Sequence, residues 1–556
     1  MTEHGNAGNE QGKQVLRPGQ RVHLIGVAGA GMNALAALLL IRGCVVSGSD
    51  QQTSAQVERL VGQGMTFFRG HDPAQVAGAD LVIISAAVRE HNPELAAARS
   101  AGAPVVKRAE ALGWLLADAR VIAVAGTHGK TTTSAMLAVI LSHAGLQPTF
   151  VVGGEVLDLG ASAAAGAGEW AVVEADEYDR SFLHLRPTIA LITNVEPDHL
   201  EYYGSVEAMH EAYHQFIARI IPGGVLVRNH DDPFLRALVG SPDRELIDCA
   251  VDGAPSPPAT AGSVPAIRTQ PTGVSRFLRT SGSVKLKPRH LWRGGSFAHL
   301  AVAFRPLLLR LRKTRSGWPG TEWAKARASR ANEAPRPEGR GFKRAHPRLA
   351  SYPAPWYASA IHEDSRGSHF LLQYPGGGAC PVDLPISGRH NISNAVQALA
   401  AAAQIGVSPE TAAAALSRFR GTGRRFQLVG ESGGIVVIDD YAHHPTEVRA
   451  TLAAARARYP DRRLVTIFQP HTYSRTVLLF DQFVTAFDGA DELIVSAIHA
   501  ARETDTLGMD SGRLVDAIRT HPGSPPTEYL PDLPAITAAL DSRLRPGDLV
   551  LTLGAG

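Results

Sequence analysis

Lys130-Thr131-Thr132-Thr133 closes the segment Gly126-Thr127-His128-Gly129, and small residues, a cation and hydroxyls at this spacing suit polyphosphate chemistry. Successive backbone N–H groups and a helix N-terminus converge on an anion, Lys130 reaches the outer phosphates, and Thr131 offers an oxygen to Mg2+. The spacing is G-x-x-G-K-T, shorter than the standard G-x-x-x-x-G-K-[ST], because Val124 stands five positions before Gly129. Its context supports a nucleotide site: an apolar β-branched run, 121–124, leads in, and an apolar stretch at helical length, 135–141, leads out. An ordinary strand-to-helix turn would leave Lys130 without a partner.

Two further apolar runs end in acids. The run 170–173 stops at Glu174, Asp176, Glu177 and Asp179, and the run 189–193 stops at Glu196, Asp198 and His199. Carboxylates at strand C-termini beside a phosphate loop suit Mg2+, a hard cation that takes oxygen ligands and leaves positions for phosphate. The bland alternative, solvated loop acids, applies most readily to Asp176, Asp179 and Asp198. Nearer the N-terminus, the run 21–25 meets Gly26-Val27-Ala28-Gly29-Ala30-Gly31, and Asp50 follows the next apolar run. Read from Gly29, this is G-x-G-x-x-A with an acid about 20 residues on, a βαβ signal shared by NAD sites and nucleotide-sugar sites. Later, Gly388-Arg389-His390-Asn391-Ile392-Ser393-Asn394 opens an Ala-rich helix. The runs 435–438 and 464–468 end in Asp439-Asp440-Tyr441-Ala442-His443-His444 and in Gln469-Pro470-His471-Thr472-Tyr473-Ser474-Arg475.

The elements that must position these groups fall into three or four domains for 556 residues. Cys44, Cys249 and Cys380 lack C-x-x-C spacing, which suits a reducing cytoplasm rather than a disulfide framework. The polar first 20 residues carry no signal-peptide pattern, and no apolar run approaches about 20 residues, so no membrane insertion is expected. The net charge of +3 hides a contrast: 253–355 carries +17 and the remainder −14. That basic segment, rich in Pro, Arg, Ser and Gly, reads as a disordered insert. Basic charge with Trp292, Trp318 and Trp323 is also a nucleic-acid footprint, but no nucleic-acid partner is expected.

Taken in order and spacing, His23 to Met32, the Gly126 to Thr133 loop, Glu174 to Ser181, Thr193 to Leu200, Gly388 to Ala395 and Asp439 to Glu447 resemble the Mur ligase family. The resemblance covers roughly 20–250 and 358–556. It implies a three-domain α/β fold: a Rossmann-like UDP-sugar domain (20–118), a central P-loop-type ATPase domain (119–384) interrupted by the insert, and a C-terminal Rossmann-like domain (385–556). The last reads as truncated, because the chain stops at Gly554-Ala555-Gly556 where the family continues with a helix. The implied chemistry, in peptidoglycan precursor synthesis, is phosphorylation by ATP of the lactyl carboxylate of UDP-N-acetylmuramate, followed by displacement of phosphate by the amine of L-alanine. Lys130 and Mg2+ would neutralise the transferring phosphoryl group.

By the same resemblance, Thr131 and Glu174 hold one Mg2+, and Glu174 with His199 a second. His390, Asn391 and Asn394 match adenine-side contacts. Arg425 and Asp440 face the nucleotide. Tyr441, His443 and Arg475 recognise nucleotide and amino acid, Arg475 being suited to a bidentate carboxylate pair, and Gly29, Gly31 and Asp50 contact the UDP-sugar. Sibling ligases use a carbamylated lysine as a metal ligand. Here no Lys lies between Lys130 and Lys285, as in the alanine-adding branch. A ligase that recycles a tripeptide onto the same UDP-sugar, and an inactive, insertion-damaged copy, remain alternatives. An NAD oxidoreductase would leave the phosphate loop unexplained. His199 and His443 are candidates to accept the amine's proton, and the oligomeric state is open.

Overall fold

The computed structural model describes residues 16–85, 87–238, 243–252, 355–501, 503 and 508–555. The expected insert at 253–355 therefore lies, but for Pro355, outside the described residues.

A five-stranded parallel sheet forms the N-terminal domain, in the order Thr66–Arg69, Val45–Asp50, Arg21–Ile25, Leu81–Ile84, Val105–Lys107. Among the described residues the second sheet has ten strands. Its parallel centre runs Glu245–Val251, Val225–Asn229, Ile189–Ile192, Arg120–Ala125, Trp170–Glu174, Thr149–Val156. Strand Arg120–Ala125 thus sits between the two strands whose ends carry acids, with Val124 opposite Glu174 and Ala125 opposite Ile192. This register sets the phosphate loop between two acidic strand ends. Both faces of these strands are covered, which is why they read as continuous apolar runs rather than as alternation.

Helix Lys130–His143 follows the loop, and Thr131 through Leu141 are buried on all sides. Its neighbours explain that burial: helices Arg389–Ala403 and Pro409–Leu416 pack over it in one apolar cluster that runs to Phe419. The domain boundary expected at 385 therefore shifts. The polar motif at Gly388 looks like the start of a new domain, but the Ala-rich face behind it belongs to the central core. An antiparallel meander, Trp356–Asp364, Gly367–Tyr374 and Gly378–Leu384, extends the same sheet, and Trp356 joins it beside Cys249.

The C-terminal sheet orders Gln427–Ser432, Ile435–Asp440, Asp548–Leu553, Arg463–Phe468, Glu492–Val495, Thr527–Tyr529, parallel except for its first strand. Its two apolar clusters are separate from the rest. The N-terminal and central domains, by contrast, share one cluster that includes Leu24, Leu35, Ala123 and Val173. No described helix is long and apolar enough to cross a membrane.

Arg228, 2 % exposed, lies on strand Val225–Asn229 opposite Asp248 of the strand that leads toward 253. Its guanidinium donates to Asp248 (2.6 Å) and to the carbonyls of Leu235 and Leu238 (2.6 Å each). Removing one partner of a buried pair costs about 3–5 kcal/mol, because the other charge stays unpaired. Arg228→Ala is expected to lower the urea midpoint of the central domain accordingly, measured by intrinsic fluorescence.

Candidate active site

The loop after Ala125 turns at Gly126 (φ 129°) and Gly129 (φ 83°), both in the region that favours glycine. A Cβ at Gly126 would lie 2.1 Å from Thr193 Oγ1, and one at Gly129 2.5 Å from Asn394 Oδ1. The neighbouring strand end fastens the loop. Asn194 accepts from the His128 N–H (2.8 Å), Thr193 Oγ1 donates to the His128 carbonyl (2.5 Å), and the Thr127 hydroxyl exchanges bonds with the Glu196 backbone.

Lys130 Nζ donates to the Gly126 and Thr127 carbonyls (2.5 and 3.1 Å) and to Glu177 Oε1 (2.9 Å). Burial works against the charged amine, but Glu177, Asp176 and Glu174 outweigh it and hold the ammonium above its ordinary pKa. Glu177 is 3 % exposed and its second oxygen has no partner. Thr131 Oγ1 lies 3.1 Å from Glu174 Oε1. Adjacent ligands of an octahedral Mg2+ are ~3.0 Å apart, so this pair fits one edge of such an ion. The other Glu174 oxygen is braced by the Gly153 N–H (2.7 Å). His199 lines the same cavity, but its ring nitrogens face Glu201 (3.4 Å) and Asp198 (3.7 Å) rather than Glu174. It sits at φ 53°, a left-handed conformation at the start of helix Leu200–Tyr203.

The C-terminal domain meets this loop through charge. Arg475 grips Asp198 with both Nε (3.2 Å) and Nη2 (2.9 and 3.3 Å), and its Nη1 donates to the His471 carbonyl (2.7 Å). The carboxylate that Arg475 was expected to await is thus supplied by the protein. Burial opposes ionisation of Asp198, but Arg475 prevails and holds it far below the usual carboxylate range. His128 Nδ1 donates to Glu447 (3.0 Å), and the Thr446 hydroxyl donates to Glu196 (2.8 Å). Burial disfavours a charged His128, yet Glu447 and Glu196 outweigh it and raise the imidazole to about 9. Among the described residues, His128, Glu196 and His444 form the one trio of such side chains close enough to share an ion, with ligand atoms within 4.8 Å. His128 is instead paired with the two glutamates, Glu447 at 3.0 Å and Glu196 at 3.6 Å, and its raised pKa makes it a cation rather than a ligand.

His443 donates from Nδ1 to the Tyr441 carbonyl (2.9 Å), and burial pushes it down to about 4, leaving a neutral ring. Arg424 and Arg425 stack over Tyr441 at 5.0 and 5.1 Å. The carboxylate oxygens of Asp440 accept from the Phe426 and Ala442 N–H groups (2.7 and 2.8 Å), so this residue shapes the loop as well as facing the cavity. Asp50 is also used locally, accepting from the Ala28 and Gln52 N–H groups (2.9 and 3.2 Å) and so tying down the glycine loop.

These groups line three adjoining cavities. The first, about 910 Å³, lies over Gly29, Gly31 and Asp50 and reaches Glu174, Asp176 and Tyr178. The second shares those three residues and holds Lys130, Thr131, His199, Tyr441, His443 and Arg475. The third shares His128, Gly129, Arg425 and Glu447 with the second, and adds Thr132, His390, Asn391, Asn394 and Asp440. Glu177, Glu196 and Glu447 were not singled out as site residues. Glu177 and Glu196 were legible only as two among the strand-end acids, whereas Glu447 had a signal of its own, since His444-Pro445-Thr446-Glu447 forms a capping box at the start of helix Pro445–Arg458.

A phosphate loop between a Rossmann-like domain and a second α/β domain that brings cations and neutral imidazoles to it defines a three-domain nucleotide-dependent ligase. The chain belongs to the Mur ligase family. The family's middle-domain model matches 124–254, its glutamate ligase domain model 424–556, and the model described as its catalytic domain 21–120. A UDP-N-acetylmuramate–L-alanine ligase of Pelotomaculum thermopropionicum is 37% identical over 97% of this chain and 95% of its own length. One of Halorhodospira halophila is 37% identical over 97% and 91%. Among solved structures, a UDP-N-acetylmuramate-alanine ligase of Thermotoga maritima has the same fold, with TM-score 0.68, 22% identity and 96% of each chain covered. So has a murein peptide ligase of Psychrobacter arcticus, with TM-score 0.62, 24% identity and coverage of 97% and 96%.

The raised pKa of His128 gives the docking of the C-terminal domain a pH dependence. A raised value contributes stability in full below about 6.5 and loses it as pH climbs through about 9. The radius of gyration of the nucleotide-free enzyme, followed by small-angle scattering, is expected to grow between pH 6.5 and 9, as the docking constant falls at least about tenfold. His128→Gln should flatten that profile.

Proposed function

We propose that the chain is an ATP-dependent ligase joining L-alanine to the lactyl carboxylate of UDP-N-acetylmuramate through an acyl phosphate, in the cytoplasm, as a step of peptidoglycan precursor synthesis. The observation that carries this reading is the shared lining of the three cavities, through Glu174, Asp176 and Tyr178 on one side and His128 and Arg425 on the other. A nucleotide sugar over Gly29 and Gly31 places its far end beside Lys130 and Glu174, and an adenine against Asn391 and Asn394 directs its phosphates at the same point. Relatives at 37% identity, covered over 91% or more of their own length, are named for this reaction.

The chemistry has to bring an anionic carboxylate against an anionic phosphoryl group. Lys130, released from Glu177 as phosphate enters, neutralises part of that charge and fixes the phosphoryl position. Thr131 and Glu174 would hold Mg2+, which supplies further neutralisation when bound. Arg425 and Tyr441 close over the nucleotide from the C-terminal domain. His443, with Nδ1 engaged by the Tyr441 carbonyl, keeps Nε2 as an acceptor for the incoming ammonium group. Arg475, steadied by Asp198 and His471, provides the positive ground beside which the amino-acid carboxylate docks. The first C–O–P bond forms at the lactyl carboxylate as ADP leaves. The amine then attacks the carbonyl carbon, and phosphate departs.

Phosphate release from ATP and Mg2+ in the presence of UDP-N-acetylmuramate tests the reading. Release that depends on L-alanine, with little from glycine, serine or a tripeptide, is expected, and release with the tripeptide alone would overturn it. Lys130→Ala is expected to lower kcat by at least about a thousandfold while leaving the Kd for the UDP-sugar within about twofold, measured by calorimetry. Loss of sugar binding in that variant would contradict the assignment of the two ligands to separate domains.

A further inference from the structure

A second charged cluster lies in the N-terminal domain, away from the phosphate loop. Glu94, in the first turn of helix Pro93–Ser100, is fully buried. Its Oε2 accepts from the Ser49 hydroxyl (2.6 Å) and from His71 Nδ1 (3.2 Å), with His23 Nε2 at 3.8 Å. Burial alone would raise its pKa, but His23, Ser49 and His71 outweigh it and keep the carboxylate ionised. Glu94 Oε1 and His23 Nε2 have no partner. A buried ionised carboxylate with one unpaired oxygen is an expensive way to brace a helix against a strand.

His71 is the member of this cluster that reaches open space. Its side chain is 18 % exposed and lines the 910 Å³ cavity together with Gly29 and Asp50. The Gly70 N–H donates to the Asp50 carbonyl (2.8 Å), so the ends of the two outer strands are tied and His71 stands next to Asp50 on its outer side. Moving outward along the strand ends, the order is glycine loop, Asp50, His71. In a parallel sheet of this kind the diphosphate sits at the helix N-terminus, the ribose beside the acid after the second strand, and the base beyond it. The opposite end of the cavity reaches Glu174, where the sugar carboxylate must go.

We propose that His71, held by the Ser49–Glu94 pair, is the residue that selects the base of the nucleotide sugar, accepting the N3–H of uracil at Nε2, with Glu94 as its positioning residue. This deepens the functional reading above and rests on it. With Nδ1 donating to Glu94 (3.2 Å), Nε2 is the ring nitrogen left to accept from a ligand. Uracil offers an N–H donor at N3. Cytosine offers a lone pair there, which would face the imidazole lone pair unpaired.

The test is calorimetric binding of UDP and of CDP to the full-length protein, with ATP binding and melting temperature as controls. Wild type is expected to favour UDP over CDP by at least about tenfold. His71→Phe, which keeps a ring at a partly exposed position, and Glu94→Gln should each weaken UDP and bring the ratio within about twofold. The Kd for ATP should stay unchanged, and in turnover KM for the UDP-sugar should rise with kcat nearly constant. Equal affinity of wild type for UDP and CDP, or a ratio retained in both folded variants, would overturn the proposal. Failure of wild type to bind UDP or UDP-N-acetylmuramate at all would overturn the functional reading, and this inference with it.

Discussion

The bidentate grip of Arg475 on Asp198 is the contact on which the assembled site depends, because it joins two bodies whose apolar clusters are separate among the described residues. The N-terminal and central domains are fused by a common cluster through Leu35, Ala123 and Val173, whereas the clusters of the C-terminal domain are its own. Across the remaining seam the molecule uses ion pairs and hydrogen bonds: Arg475 to Asp198, His128 to Glu447, Thr446 to Glu196. Such contacts exchange readily for water or ligand groups, where an apolar interface would have to be exposed to open. A ligase that must admit three substrates and then exclude water needs a domain that docks this way.

The same logic runs through the phosphate loop. Lys130 lies back on the Gly126 and Thr127 carbonyls and against Glu177, and Arg475 is satisfied by Asp198 rather than by an amino acid. Each of these two cations has a carboxylate of the protein as its partner. Burying a lone charge costs several kcal/mol, so these partners allow the site to exist preformed, and an entering phosphate exchanges with Glu177 at Lys130.

Much of this was legible from the chain alone, and the reasons are specific. Strands buried on both faces announce themselves as apolar runs, and those ending at Ala125, Glu174 and Ile192 carried the loop and the acids at their ends. The order of the motifs gave the family. The boundary at 385 was misplaced because helix Arg389–Ala403 owes its burial to the helix after the phosphate loop, some 260 residues earlier, and local pattern holds no record of that contact. The roles of Glu177, Glu196, Asp198 and Glu94 were hidden for a related reason. A single carboxylate reads the same whether it faces water or a buried cation, and only the fold decides which.

The central claim is that the three cavities converge so that ATP activates the sugar carboxylate directly. Transfer of 18O from the lactyl carboxylate of UDP-N-acetylmuramate into released phosphate, during turnover with ATP and L-alanine, measures that step most directly. The account predicts one labelled oxygen in each phosphate formed. Phosphate released without label, its new oxygen drawn from water, would contradict it.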